Sequence, residues 1–135
     1  MLAWAALISL FSTDSFAGDE TRRLLLPVLA WLAPEASRDA LLVAHAALRK
    51  LAHLSEYAVL GALLVRALAA PGRSRLAVGV RAALLCLGYA AFDELHQLFV
   101  PSRTAASADV ILDATGAWLG VAAALRLSRA RPRRA

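Results

Sequence analysis

The stretch YAAFDELHQLFVPSRTAASADVILDATGAWLG, residues 89–120, decides how this chain is read. Two apolar runs, 76–100 and 110–127, meet at a short link, and each comes close to the ~20 apolar residues that a membrane-spanning helix needs. Both are rich in Ala and Leu with little β-branching, which favours helix over strand. Yet Asp93, Glu94, His96, Gln97, Arg103, Asp109 and Asp113 crowd into the junction of a chain that is 60% hydrophobic. Facing lipid, each charge would cost roughly 2.5–3.5 kcal/mol on insertion scales. The polar groups must therefore face one another, a basic partner or a wet cavity.

Outward from this stretch the chain keeps the same character. Residues 51–68 form a third apolar run, interrupted by Ser55, Glu56 and Arg66. The chain has 135 residues, of which 19% are charged, and a mean hydropathy of +0.60. That is too apolar for a soluble domain of this size and indicates one membrane domain, 1–135. Cys86 is the single cysteine, which excludes an intrachain disulfide. Net charge is +5, and the tail RLSRARPRRA holds five arginines and no acid. Beside an apolar segment, residues 128–135 read as a basic cytoplasmic tail, and no nucleic-acid partner is expected.

The opening MLAWAALISLF is apolar but short. SFA before Gly18 loosely fits a small-x-small cleavage site, but no Lys or Arg precedes the apolar run. An uncleaved first helix is expected, tilted or partial, or begun upstream. LLLPVLAWL and ALLVAHAAL are too short to span, and Pro27 and Pro34 are expected to break them into interfacial helices. The expected fold is all-α: a small transmembrane helical bundle of about four spanning helices, with short interfacial helices in the first outer connection.

Arginine asymmetry orients the bundle. Residues 66–81 carry four arginines and no acid, whereas residues 14–50 balance five basic against five acidic. Both termini and the 66–81 connection are expected on the cytoplasmic side of a bacterial cell membrane. A helix starting near Lys50 then runs inward, the next runs outward and the last starts outside. Lys50, His53, Glu56, Tyr57, Asp93, Glu94, His96, Gln97, Asp109 and Asp113 fall in outer halves, with Arg103 in the outer link. Lys50, His53 and Tyr57 share one helix face by their spacing, as do Asp109, Asp113, Gly116 and Gly120. Gly116 and Gly120 make a G-x-x-x-G pattern that lets a second helix approach and turns the aspartates towards it.

RKLAHLSEYAVLG (49–61), followed by DELHQLFVPSRTAASADVILDATGAWLG (93–120), resembles the VanZ-like membrane proteins. Their pattern is K-x-x-H-x-x-x-Y/F, then D-E-x-x-Q, a Pro-x-R loop and an Asp-initiated last helix with glycines. The matched positions are Lys50, His53, Glu56, Tyr57, Asp93, Glu94, Gln97, Arg103, Asp109 and Gly116. Members often end their first helix with Ser-Ser-Gln; Ser12, Thr13 and Asp14 stand there instead, so no role for Asp14 carries over. The resemblance implies a multi-pass bacterial membrane protein. Through the founding member it also implies a theme of resistance to the glycopeptide teicoplanin, which acts at the outer cell surface.

Three functions fit the residues. In a binding site for a lipid headgroup or lipid-linked cell-wall precursor, Lys50 and Arg103 hold phosphate or carboxylate and the aspartates and Gln97 orient them. In an intramembrane enzyme, His53 or His96 is a general base oriented by Asp93 or Glu56. In an ion or proton path, acids and histidines form a relay, but the dry inner halves argue against a complete one. Helix glue is the structural alternative to all three. No cofactor is expected, although His53-x-x-Glu56 and Asp93-x-x-His96 each place two metal-ligand types on one face. His45 is expected at the surface or interface. Trp4, Trp31 and Trp118 are expected as interface anchors or packing residues, and Arg66 and Arg81 as snorkelling cations.

Overall fold

The computed structural model describes residues 2–11, 18–97 and 107–130, and among them every regular element is helical. The order is α1 (Leu2–Phe11), α2 (Gly18–Leu32), α3 (Arg38–Leu68), α4 (Arg75–Gln97) and α5 (Ser107–Ala130). α3, α4 and α5 are each long and apolar enough to cross a membrane. Four spans are expected from the sequence. α1, with 10 residues, reaches about 15 Å, half of the ~30 Å hydrocarbon core.

Two boundaries differ from the sequence reading. α2 contains Pro27 instead of ending there; proline removes one N–H without stopping the helix, and its cost falls on the Arg23 carbonyl one turn back. The chain does turn at Pro34, where the Ala36 N–H donates to the Ala33 carbonyl at 3.0 Å. The segment 40–48 is not a separate interfacial helix. It forms the first turns of α3, which runs unbroken for 31 residues, about 46 Å at 1.5 Å per residue. Ser37 caps it in extended conformation, its Oγ accepting the Ala40 N–H at 3.2 Å, and Asp39 complements the helix dipole in the first turn. Neither Gly nor Pro interrupts residues 38–60. Arg49 and Lys50 end the apolar run but favour helix as well as Leu does.

α3 ends at a tight turn that reverses the chain. The Arg73 N–H donates to the Ala70 carbonyl at 3.2 Å, with Pro71 second and Gly72 third at φ +78°, the geometry of a type II turn. α4 therefore runs antiparallel to α3. α5 returns alongside both, and the Arg75 guanidinium on α4 meets the Leu125 carbonyl and Ser128 hydroxyl near the end of α5.

The packing inverts the usual soluble pattern. The interior is small or polar along α4, with Val78, Ala82, Cys86 and Ala90 buried at four-residue spacing. Large apolar side chains point outward, among them Leu84, Phe92, Ile111, Trp118 and Leu127. So broad an exposed apolar surface suits lipid and not water.

Candidate functional site

α3 and α5 touch backbone to backbone. A Cβ on Gly116 would lie under 3.0 Å from the Leu54 carbonyl oxygen, one on Gly120 equally close to that of Ala58, and one on Gly61 equally close to that of Ala117. Asp113 precedes Gly116 by three residues on the same face, so this crossing drives its side chain against α3. There it is 1% exposed, with Oδ1 3.5 Å from His53 Nδ1. That distance suits an ion pair better than a good hydrogen bond. One turn further along α3, Tyr57 is completely buried.

α4 supplies the third side. Asp93 and Glu94 are buried, and the Tyr89 ring sits 6.2 Å from that of Tyr57, tilted by 48°. Asp93, Asp113, Tyr89 and Glu56 all lie close enough to act electrostatically on the Tyr57 hydroxyl, and Asp93 and Asp109 likewise on Asp113. The Tyr57 Oη and Asp113 Oδ1 atoms are buried with no hydrogen bond among the described residues. Buried polar atoms are seldom left so.

α1 covers this side of the bundle. Trp4 Nε1 donates to the Glu56 carbonyl at 2.9 Å. The Tyr89 hydroxyl lies 2.6 Å from the Ala5 carbonyl, to which it donates, and 2.7 Å from Ser9 Oγ. Ile8 is 1% exposed in the core beside them. Tyr89 and Ser9 escaped the sequence reading, since one tyrosine and one serine in apolar runs carry no spacing signal. Trp4 read as an anchor or packing residue, and its bond to α3 is visible only once α1 is docked.

The structure thus brings His53, Tyr57, Asp93 and Asp113 together under cover, with Glu56 half-buried beside them, and buries Glu94 on α4 next in sequence to Asp93. Lys50 is exposed on α3, and Asp109 is half-buried at the start of α5. His96 and Gln97 lie on the last turn of α4, but their side chains fall outside the described residues, as do Ser12, Thr13, Asp14 and Arg103. His45 is expected from the sequence at the surface or interface, and its burial overturns the surface alternative. It is 6% exposed, with Nε2 3.2 Å from Thr21 Oγ1 on α2, because α3 extends far enough to meet α2. Arg66 and Arg81 are exposed.

Chemically, a half-buried imidazole against a buried carboxylate is a pair that can exchange a proton. Among the described residues, no three His, Cys, Asp or Glu side chains converge as a metal site. Helix arithmetic sets the depth. His53 lies 15 residues from the end of α3 and Asp113 15 residues before Ser128, so both sit about 22 Å from the arginine-rich end. No curated protein and no solved structure matches the chain. A family model described as VanZ/LLP1 matches residues 1–128, nearly the whole chain, and the protein belongs to the VanZ-like family of membrane proteins.

Proposed function

We propose that the polar end of the bundle faces the outer leaflet of a bacterial cell membrane and holds the anionic headgroup of a membrane lipid or lipid-linked cell-wall precursor. The observation that carries this reading is the buried Tyr57 Oη, which makes no hydrogen bond among the described residues. A buried atom of this kind calls for a polar partner, and a headgroup supplies one. Lys50 and Arg103 meet the anionic group. The negative charge of Glu56, Asp93 and Asp113 would repel an anion, so the anionic group sits towards Lys50 and Arg103 and the ligand turns a hydroxyl or amine to the Tyr57 hydroxyl. Asp109, half-buried at the start of α5, stands beside it. Such a site would alter access to envelope precursors and, with it, susceptibility to glycopeptide antibiotics.

Arg103→Ala tests this reading. Loss of bound lipid or precursor in native mass spectrometry, together with changed glycopeptide susceptibility and an unchanged melting temperature, supports it. Arg103→Lys should restore only part, because an ammonium lacks the planar two-donor fork. A fully active Arg103→Ala protein removes the anion site.

The 3.5 Å approach of His53 to Asp113 favours a second reading, an acid/base enzyme acting on a lipid-linked envelope substrate. His53 would take the proton and Asp113 would orient it, a partner other than the Asp93 or Glu56 expected from the sequence. His53→Gln would then abolish turnover while leaving lipid binding intact. Loss of binding with no turnover in the native protein would return His53 to the binding site.

A further inference from the structure

The opposite end of the bundle carries a separate feature. No acid occurs between Glu56 and Asp93, or after Asp113. Arg66, Arg73 and Arg75 line one cavity of about 460 Å³ where the α3–α4 turn meets the end of α5. Val65, Val78, Ala124 and Leu125 make the rest of its wall largely apolar. Two of the guanidiniums are held by the fold. Arg73 Nη1 donates to the Leu68 carbonyl at 3.0 Å; Arg75 Nη2 donates to the Leu125 carbonyl and, at 3.0 Å, to Ser128 Oγ. Each guanidinium has five N–H donors, so both keep donors to spare. No side-chain hydrogen bond ties Arg66 among the described residues.

An apolar groove adjoins this cavity. It has a volume of about 390 Å³, runs between α4 and α5, and shares Leu125 with the arginine cavity. Past Trp118 and Ala83 it continues into a smaller hollow that reaches Leu87 and Ala114. From Leu76 to Leu87 the trough follows α4 for about 16 Å, the depth of one leaflet of a ~30 Å hydrocarbon core.

We infer that this end binds one anionic phospholipid, its phosphate among Arg66, Arg73 and Arg75 and one acyl chain in the α4–α5 trough. Charge complementarity selects the occupant. A zwitterionic headgroup would bring a cation to three cations with no carboxylate nearby, and a free phosphate would leave the trough unused. Basic pockets between spanning helices are suited to anionic headgroups, and arginine can grip phosphate with two parallel bonds. The site shares no residue with the polar cluster, so either can fail without the other.

The test uses the full chain, delipidated in detergent and titrated with phosphatidylglycerol, phosphatidylcholine or inorganic phosphate, with native mass spectrometry as the readout. Phosphatidylglycerol should bind at least about fivefold tighter than phosphatidylcholine, and inorganic phosphate should not displace it. Arg66→Gln is the chosen variant, because Arg73 and Arg75 also close helix ends. It should weaken phosphatidylglycerol binding about fivefold, equivalent to ~1 kcal/mol for one basic residue near an anionic lipid. Ala83→Phe, which fills the trough without touching a charge, should also weaken it. Equal affinity for the two lipids, displacement by inorganic phosphate, or unchanged binding by Arg66→Gln would each overturn the inference.

Discussion

Replacing Gly120 by alanine should loosen the bundle, although alanine is the better helix former. The substitution gains about 1 kcal/mol of helix propensity. Against this, the new Cβ would meet the Ala58 carbonyl oxygen at under 3.0 Å, where ordinary contact begins at 3.4 Å. The obstacle is backbone and cannot rotate away, so α3 and α5 must separate. Overpacking of this kind costs typically 1–3 kcal/mol and occasionally more. Between helices in lipid, close packing is the main attraction to be lost, since hydrophobic burial no longer distinguishes neighbour from solvent. So close a backbone contact falls in the upper half of that range, about 2–3 kcal/mol, and the net expectation is a loss of roughly 1–2 kcal/mol. Gly88 is the control. It lies on the outer side of α4 with nothing within 4 Å of a built Cβ, so Gly88→Ala should stabilise by about 0.4–1 kcal/mol. Both variants are compared by reversible unfolding in mixed detergent. A Gly120→Ala protein as stable as Gly88→Ala would refute the backbone contact between α3 and α5.

Tyr89→Phe removes the hydroxyl that ties α1 to α4 through Ala5 and Ser9; a loss of about 1–2 kcal/mol is expected for two part-buried bonds, seen as faster amide exchange in α1 with α3 and α5 unchanged. Ser37→Ala removes the α3 cap and should cost about 0.5–2 kcal/mol, with fraying confined to the first turns on amide exchange and no change at His53. In a Cys86→Ala background, cysteine at Ser102 should react with an impermeant thiol reagent in intact cells and cysteine at Ser74 should not. The reverse pattern would place the polar end on the cytoplasmic side.

Hydropathy and spacing revealed the three long helices and the direction of their polar faces because both depend on local composition. Asp113, Gly116 and Gly120 share a helix face by arithmetic alone, and the structure places α3 against that face. What hydropathy could not supply was where α3 begins. Arg49 and Lys50 end an apolar run, but a capped, glycine-free segment stays helical regardless of polarity. That distinction between the limit of lipid and the limit of a helix accounts for the misread 40–48 segment and for His45, which is buried because the longer α3 meets α2. The seat of α1 was equally hidden, since its bonds to Glu56 and Tyr89 join residues 52 and 84 positions apart.

Whether the polar cluster exists to hold helices together can be weighed from what else holds them. The α3–α5 crossing already rests on three glycines pressed against carbonyls, and α1 is fixed by Trp4 and Tyr89. Adding His53 and Asp113 at 3.5 Å is a poor means of further attachment. Taking the Asp113 charge out of water costs several kcal/mol, which only excellent geometry offsets, and well-packed apolar residues often serve stability as well or better. Here the geometry is long, and a tyrosine hydroxyl beside it makes no hydrogen bond among the described residues. As glue, the arrangement is expensive and redundant. As a site, its features are the useful ones: a titratable pair, a hydrogen-bond donor kept out of water, and a short helix laid over them.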